Sequence, residues 1–130
     1  MPPLSRLLTL LGALGMLSGV ALGAFAAHGL RQRLPPDALA VFRTGVEYHI
    51  YHALGLLAVA QLAARIAVSR CLRWGGILLA AGIVLFSGTL YMLALTGARG
   101  WAYVTPLGGI AWLAGWALVA LAVWRHREHG

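Results

Sequence analysis

Four apolar blocks alternate with short arginine-bearing connections along this chain, and each block approaches the roughly 20 residues that a helix needs to cross a bilayer. The pattern predicts spans at about residues 7–27, 48–65, 74–95 and 105–124, all within a single membrane domain of 1–130. The expected fold is all-α, an integral membrane four-helix bundle. The first block follows Arg6 and holds no charge. Its start resembles a signal peptide, and Ala24-Phe25-Ala26 mimics a cleavage box. The apolar run nevertheless exceeds the usual core of about 7–15 residues, so a retained helix is expected. Gly15, Gly19, Gly23 and Ala27 recur along one face of it as a smooth strip. Such strips let helix backbones approach closely in lipid, and packing within the chain is favoured here over an oligomer seam.

A polar connection, Gly29 to Pro35, leads to the second span. Pro36 suits a first helical turn, and Asp37 complements its positive end. Leu39, Phe42, Val46, Ile50 and Ala53 then follow one helical face, with Arg43, Glu47 and Tyr51 along another. This reads as a short amphipathic interfacial extension that runs on into the span. Counting back from Arg65 puts His49 and His52 inside the hydrocarbon, whereas counting back from Arg70 leaves them at the rim. A tight connection from Arg70 to Arg73 precedes the third span, and a turn from Thr96 to Gly100 follows it. Thr105 and Pro106 read as an N-cap and a first-turn proline for the last span. Arg125 to His129 form the closing tail. Trp74, Trp101, Tyr103 and Trp124 fall at span ends, as an aromatic belt requires.

Composition sharpens this picture. The chain is 61% hydrophobic and 10% charged, far from the roughly 25% charged average of soluble domains. All ten basic residues are arginine, which excludes lysine Schiff-base chemistry and a P-loop lysine. The arginines sit in connections and tails, so the net charge of +7 reads as topology and lipid-headgroup contact. Without a basic solvated face, nucleic acid is not an expected partner. Arg6, Arg65, Arg70, Arg73, Arg125 and Arg127 share the side of the termini, against four arginines opposite, which favours cytoplasmic termini. The only acids are Asp37, Glu47 and Glu128, too few for paired-carboxylate hydrolysis. Cys71 stands alone, so it reads as a structural thiol.

Four spans bring His28, Glu47, Tyr48, His49, Tyr51, His52, Tyr91, Thr96 and Thr105 to one membrane face. The favoured reading is a rim network that satisfies polar atoms and anchors the second span. Three sharper readings stand beside it. His28, His49 and His52 form a possible metal set. Glu47 is the one acid available to an ion relay. A headgroup-directed enzyme would need a nucleophile, base and orienter that the sequence does not display. Trp112 and Trp116, one turn apart, read as helix or lipid packing before a pocket wall.

Five ordered motifs then carry a resemblance. They are Gly12-Ala13-Leu14-Gly15, Gly23-Ala24-Phe25-Ala26-Ala27-His28-Gly29-Leu30, Tyr51-His52-Ala53-Leu54, Leu85-Phe86-Ser87-Gly88-Thr89-Leu90-Tyr91 and Thr105-Pro106-Leu107-Gly108-Gly109. Over nearly its whole length the chain resembles the bacterial domain-of-unknown-function 423 family, relatives of eukaryotic transmembrane protein 256. The resemblance implies a small four-span protein of the bacterial cytoplasmic membrane. It singles out His28, Tyr51, His52, Ser87, Tyr91, Thr105 and Pro106, and it implies glutamine at the position of His49. The candidate polar cluster is therefore His28, Glu47, Tyr48, Tyr51, His52, Ser87, Tyr91 and Thr105. His28 and His52 are expected to face inward, within reach of Tyr91 or Thr105. The expected function is a non-catalytic membrane component in the lipid bilayer, oligomeric or bound to a membrane protein partner, without metal or cofactor. The alternative is a small solute or ion transporter using His28, Glu47 and His52.

Overall fold

The computed structural model describes residues 1–128, so His129 of the expected tail lies outside the described residues. The chain forms α1 (Pro3–His28), α2 (Pro36–Arg65), α3 (Arg70–Gly82), a π-helical segment (Ile83–Gly88), α4 (Thr89–Thr96) and α5 (Trp101–Glu128). The elements from Arg70 to Thr96 run on as one rod. With α1 and α5, this rod is long and apolar enough to cross a membrane. α2 has the length, at 30 residues, but carries Arg43, Glu47, His49, His52 and Gln61. Position accommodates the two histidines, which are buried, while Arg43, Glu47 and Gln61 are exposed. α2 packs along α1 on one flank and along the rod on another, while its rings meet α5 on a third.

Prolines open α1 and α2, where a missing N–H costs nothing, and Asp37 stands in the first turn of α2. The expected interfacial extension and second span thus fall in one continuous helix. Two boundaries differ from the sequence pattern. The connection before the third span is Ile66 to Ser69, because the Ser69 hydroxyl accepts from the Leu72 N–H at 3.2 Å and starts the helix there. The last helix opens at Trp101, not at the Thr105–Pro106 pair. Its first turn closes with bonds such as Ala102 N–H to Arg99 O at 3.0 Å, and Pro106 lies inside the helix. The rod ends on Gly97, whose φ of 69° lies in the left-handed region that glycine enters without strain.

The molecule is two antiparallel hairpins, α1 with α2 and the rod with α5, laid side by side. Gly12, Gly15, Gly19 and Gly23 turn their bare faces to α2, against Leu57, Ala53, Ile50 and Val46 respectively. Ala27, the last of the expected strip, is exposed. Gly75 and Gly115 allow equally close contact between α3 and α5. One apolar core holds Leu8, Leu56, Ala60, Leu72, Leu79 and Trp112. The other holds Ala26, Leu30, Leu39, Phe42, Val46 and Ala94. A polar layer built on His49 and His52 lies between them.

Candidate functional site

Depth comes first. Gly15, halfway along α1, meets Ala53. His52 and His49 therefore sit near the middle of the bundle, level with the centre of α1. Both fall on the inward stripe of α2 with Phe42, Val46, Ala53 and Leu56 and are buried.

His49 joins three helices. Its Nδ1 lies 2.8 Å from the Tyr91 hydroxyl on α4, and its Nε2 lies 3.1 Å from Ser18 Oγ on α1. The Ser18 hydroxyl hydrogen turns back to Leu14 O at 2.9 Å, leaving its oxygen to accept from Nε2–H. Tyr91 O–H then donates to Nδ1, and all three groups are satisfied. Gly45 makes room for the tyrosine, since a Cβ there would lie 2.7 Å from the ring. These side chains floor a cleft of about 360 Å³ between α1 and the rod.

His52 turns toward α5. Its Nδ1 stands 2.9 Å from the Tyr48 carbonyl, which can only accept, and its Nε2 takes the Trp116 indole N–H at 3.2 Å. Only the neutral ring, protonated on Nδ1, meets both demands. The ring lies flat on Trp112, with centroids 3.7 Å apart and planes 4° apart. Trp112 in turn donates its N–H to Leu79 O at 3.0 Å. Just beyond, the backbone shifts to π geometry, and the Ile83 N–H bonds to Ala80 O. Tyr48 and Phe86 complete the aromatic stack, their ring centroids 5.3 Å apart. This group walls a groove of about 470 Å³ between α2 and α5.

The expected cluster is thus not one site. His28 ends α1 exposed and far from His52, because the helix axis carries it toward the tip of the bundle. It does not face inward, and neither Tyr91 nor Thr105 reaches His52. Tyr91 belongs to His49, and Thr105 shares a 2.6 Å hydrogen bond with Thr89 that ties α5 to α4. Glu47 and Tyr51 are exposed on the outer face of α2, where the tyrosine hydroxyl donates to Glu47 Oε1 at 2.6 Å. Ser87 is fully buried in the π segment, its hydroxyl without a partner. With His28 at the tip and His49 and His52 committed to different helices, the three histidines do not converge. Among the described residues, no group of three metal-ligating side chains gathers.

Two participants were hidden from sequence reasoning. The resemblance implies glutamine at the position of His49 and leaves it out of the candidate cluster, yet its place on the apolar stripe of α2 marks it as inward. Trp112 was read as packing, and no local signal announces its partners. Glutamine can donate and accept as His49 does. His49→Gln is therefore expected to keep the bundle's thermal stability in detergent, whereas His49→Leu strands the Tyr91 hydroxyl and costs about 1–2 kcal/mol. Melting curves of the two variants against the parent chain check this.

Comparison with known proteins finds a family model and relatives named as membrane proteins. The family model described as protein of unknown function (DUF423) matches residues 22–109. The UPF0382 membrane protein YwdK of Bacillus subtilis is 45% identical over 117 residues, covering 90% of this chain and 95% of its own. The UPF0382 inner membrane protein YgdD of Escherichia coli K12 is 41% identical over 126 residues, covering 97% and 95%. A UPF0382 membrane protein of Staphylococcus haemolyticus is 38% identical over 120 residues, covering 92% and 97%. No solved structure matches. With relatives of this likeness and three helices fit to cross a bilayer, the chain is a multi-pass protein of the bacterial inner membrane and belongs to the DUF423 family.

Proposed function

We propose that this protein is a non-catalytic membrane component that acts by assembly, with itself or with another membrane protein. The observation that carries this reading is the saturation of the polar layer built on His49 and His52. Ser18, His49 and Tyr91 satisfy one another, His52 is filled by Tyr48 O and Trp116, Trp112 is filled by Leu79 O, and Thr89 pairs with Thr105. Each link joins two helices or fixes a ring between them. None leaves a nucleophile beside a free base, which covalent or acid–base chemistry needs. These groups hold the bundle together; the buried hydroxyls of Ser5 and Ser87 stand apart without a partner, and the other polar side chains of α2 point outward.

A transport path through His28, Glu47 and His52 lacks comparable support. The three groups point to the tip, the outer face and the interior respectively, so they line no common route.

The test is gentle extraction from native membranes, followed by size-exclusion chromatography with light scattering. The expected species is larger than the 13.8 kDa chain. Changes that spare packing but remove inner polar groups, such as Tyr91→Phe and Thr105→Val, are expected to leave its size unaltered. A strictly monomeric protein, or coupled solute flux in proteoliposomes that Tyr91→Phe abolishes, would overturn the reading.

A further inference from the structure

The outer face of α2 differs from those of its neighbours. Along α1 the most exposed positions include Leu10, Leu14, Leu17 and Val20, and along α5 they include Ile110 and Leu113, as lipid contact demands. On α2 the exposed line is Glu47, Tyr51, Leu54, Ala58, Gln61 and Arg65. Steps of four and three residues keep these side chains on one seam parallel to the axis, the spacing of two helices packed at a shallow crossing angle.

The close packing of α2 along α1, a helix long and apolar enough to span, sets most of this seam at hydrocarbon depth. With His52 and Ala53 at mid-height, a rise of 1.5 Å per residue puts Glu47 about 8 Å and Gln61 about 13 Å from the centre. Both fall inside a half-thickness of about 15 Å. The Glu47 carboxylate receives one hydrogen bond, from Tyr51, while Gln61 has no partner among the described residues. Acyl chains offer neither donors nor acceptors, so this face is costly until something polar covers it.

We propose that a second copy of this chain covers it, α2 against α2 in parallel, about a two-fold axis through Leu54 and Ala58. The seam supplies its own complement. A glutamine amide both donates and accepts, so Gln61 of each copy satisfies the other. Ala58 is small enough for close approach. Arg43, one turn before Glu47 on the same face and unpaired among the described residues, comes to the carboxylate of the facing chain. No group on the face needs a different protein to satisfy it. This inference rests on the assembly reading and names its partner.

The experiment is cysteine crosslinking in native membranes, in a Cys71→Ser background. Leu54→Cys and Ala58→Cys report the seam, while Leu17→Cys on α1 and Leu113→Cys on α5 report the lipid-facing sides. Under mild copper-phenanthroline oxidation, the seam variants are expected to give a disulfide dimer of twice the chain mass and the other two to stay monomeric. Adding Gln61→Leu is expected to lower the dimer yield severalfold. A dimer only through Leu17→Cys or Leu113→Cys overturns the seam and keeps assembly. Adducts of another mass at Leu54→Cys or Ala58→Cys overturn the second copy as partner and likewise keep assembly. No adduct at any position, with a monomeric extract, overturns both.

Discussion

Trp112→Ala is expected to destabilise the bundle by about 3–5 kcal/mol, the usual range for removing a buried indole. Trp112 is 5% exposed and joins three helices at once. Its ring lies on His52 of α2, its N–H bonds to Leu79 O on the rod, and Phe86 packs against its side, with centroids 4.7 Å apart. Gly82 faces the same ring so closely that a side chain there would collide with it. In lipid the hydrophobic effect gives little reward for helix association, so close packing and interhelical hydrogen bonds carry more of it. A cavity at this point removes both. The readout is the melting temperature of the purified protein in detergent, together with its level in membranes. Trp112→Phe separates the contributions. It keeps most of the packing and loses the N–H to Leu79, so it is expected to cost about 1 kcal/mol. Equal losses for the two variants would mean that the hydrogen bond, and not the ring, dominates.

Gly108→Ala is expected to cost about 2–3 kcal/mol, near the top of the range for overpacking. α5 crosses the rod at this residue, and a Cβ would lie 2.7 Å from the Leu85 carbonyl carbon and closer still to the Phe86 backbone nitrogen. Backbone cannot swing aside as a side chain does, so α5 must move outward. That movement stretches the Thr89–Thr105 bond and opens the stack of Tyr48, Phe86 and Trp112. Gly109→Ala is the matched control. A Cβ there meets nothing within 4 Å, and alanine favours the helix, so stability is expected to hold or rise slightly. Thermal melts of the pair decide the matter, and equal effects would place the close crossing elsewhere.

The periodicity of α2 shows how far sequence reading reaches. The stripe of Phe42, Val46 and Ala53 announced an inward face, and Arg43, Glu47 and Tyr51 announced an outer one. The Tyr51–Glu47 bond at one helical turn follows from geometry that any helix imposes. The continuous run from Pro36 to Arg65 was legible for the same reason, since helix signals are local. The family motifs single out Tyr91 and Thr105, but the expectation that His28 and His52 lie within their reach does not hold. Their partners, His49 and Thr89, depend on how the two hairpins lie together. The glycine line on α1 was legible as a packing face, and its target, α2, follows from the short connection that folds the two helices into one hairpin.

The sequence by itself determined the membrane setting, the helices, and which face of each is smooth, apolar or polar, because these depend on residues within a few turns of one another. It left the depth of the histidines open, since no count of residues fixes where a helix sits along its neighbours. The contact of Gly15 with Ala53 does. Only the tertiary structure parted one apparent polar cluster into an inner layer and an outer seam. Rotation of α2 about its axis is set by side-chain fit against three other helices, and a turn of a few tens of degrees decides whether a group is satisfied within the chain or left facing outward.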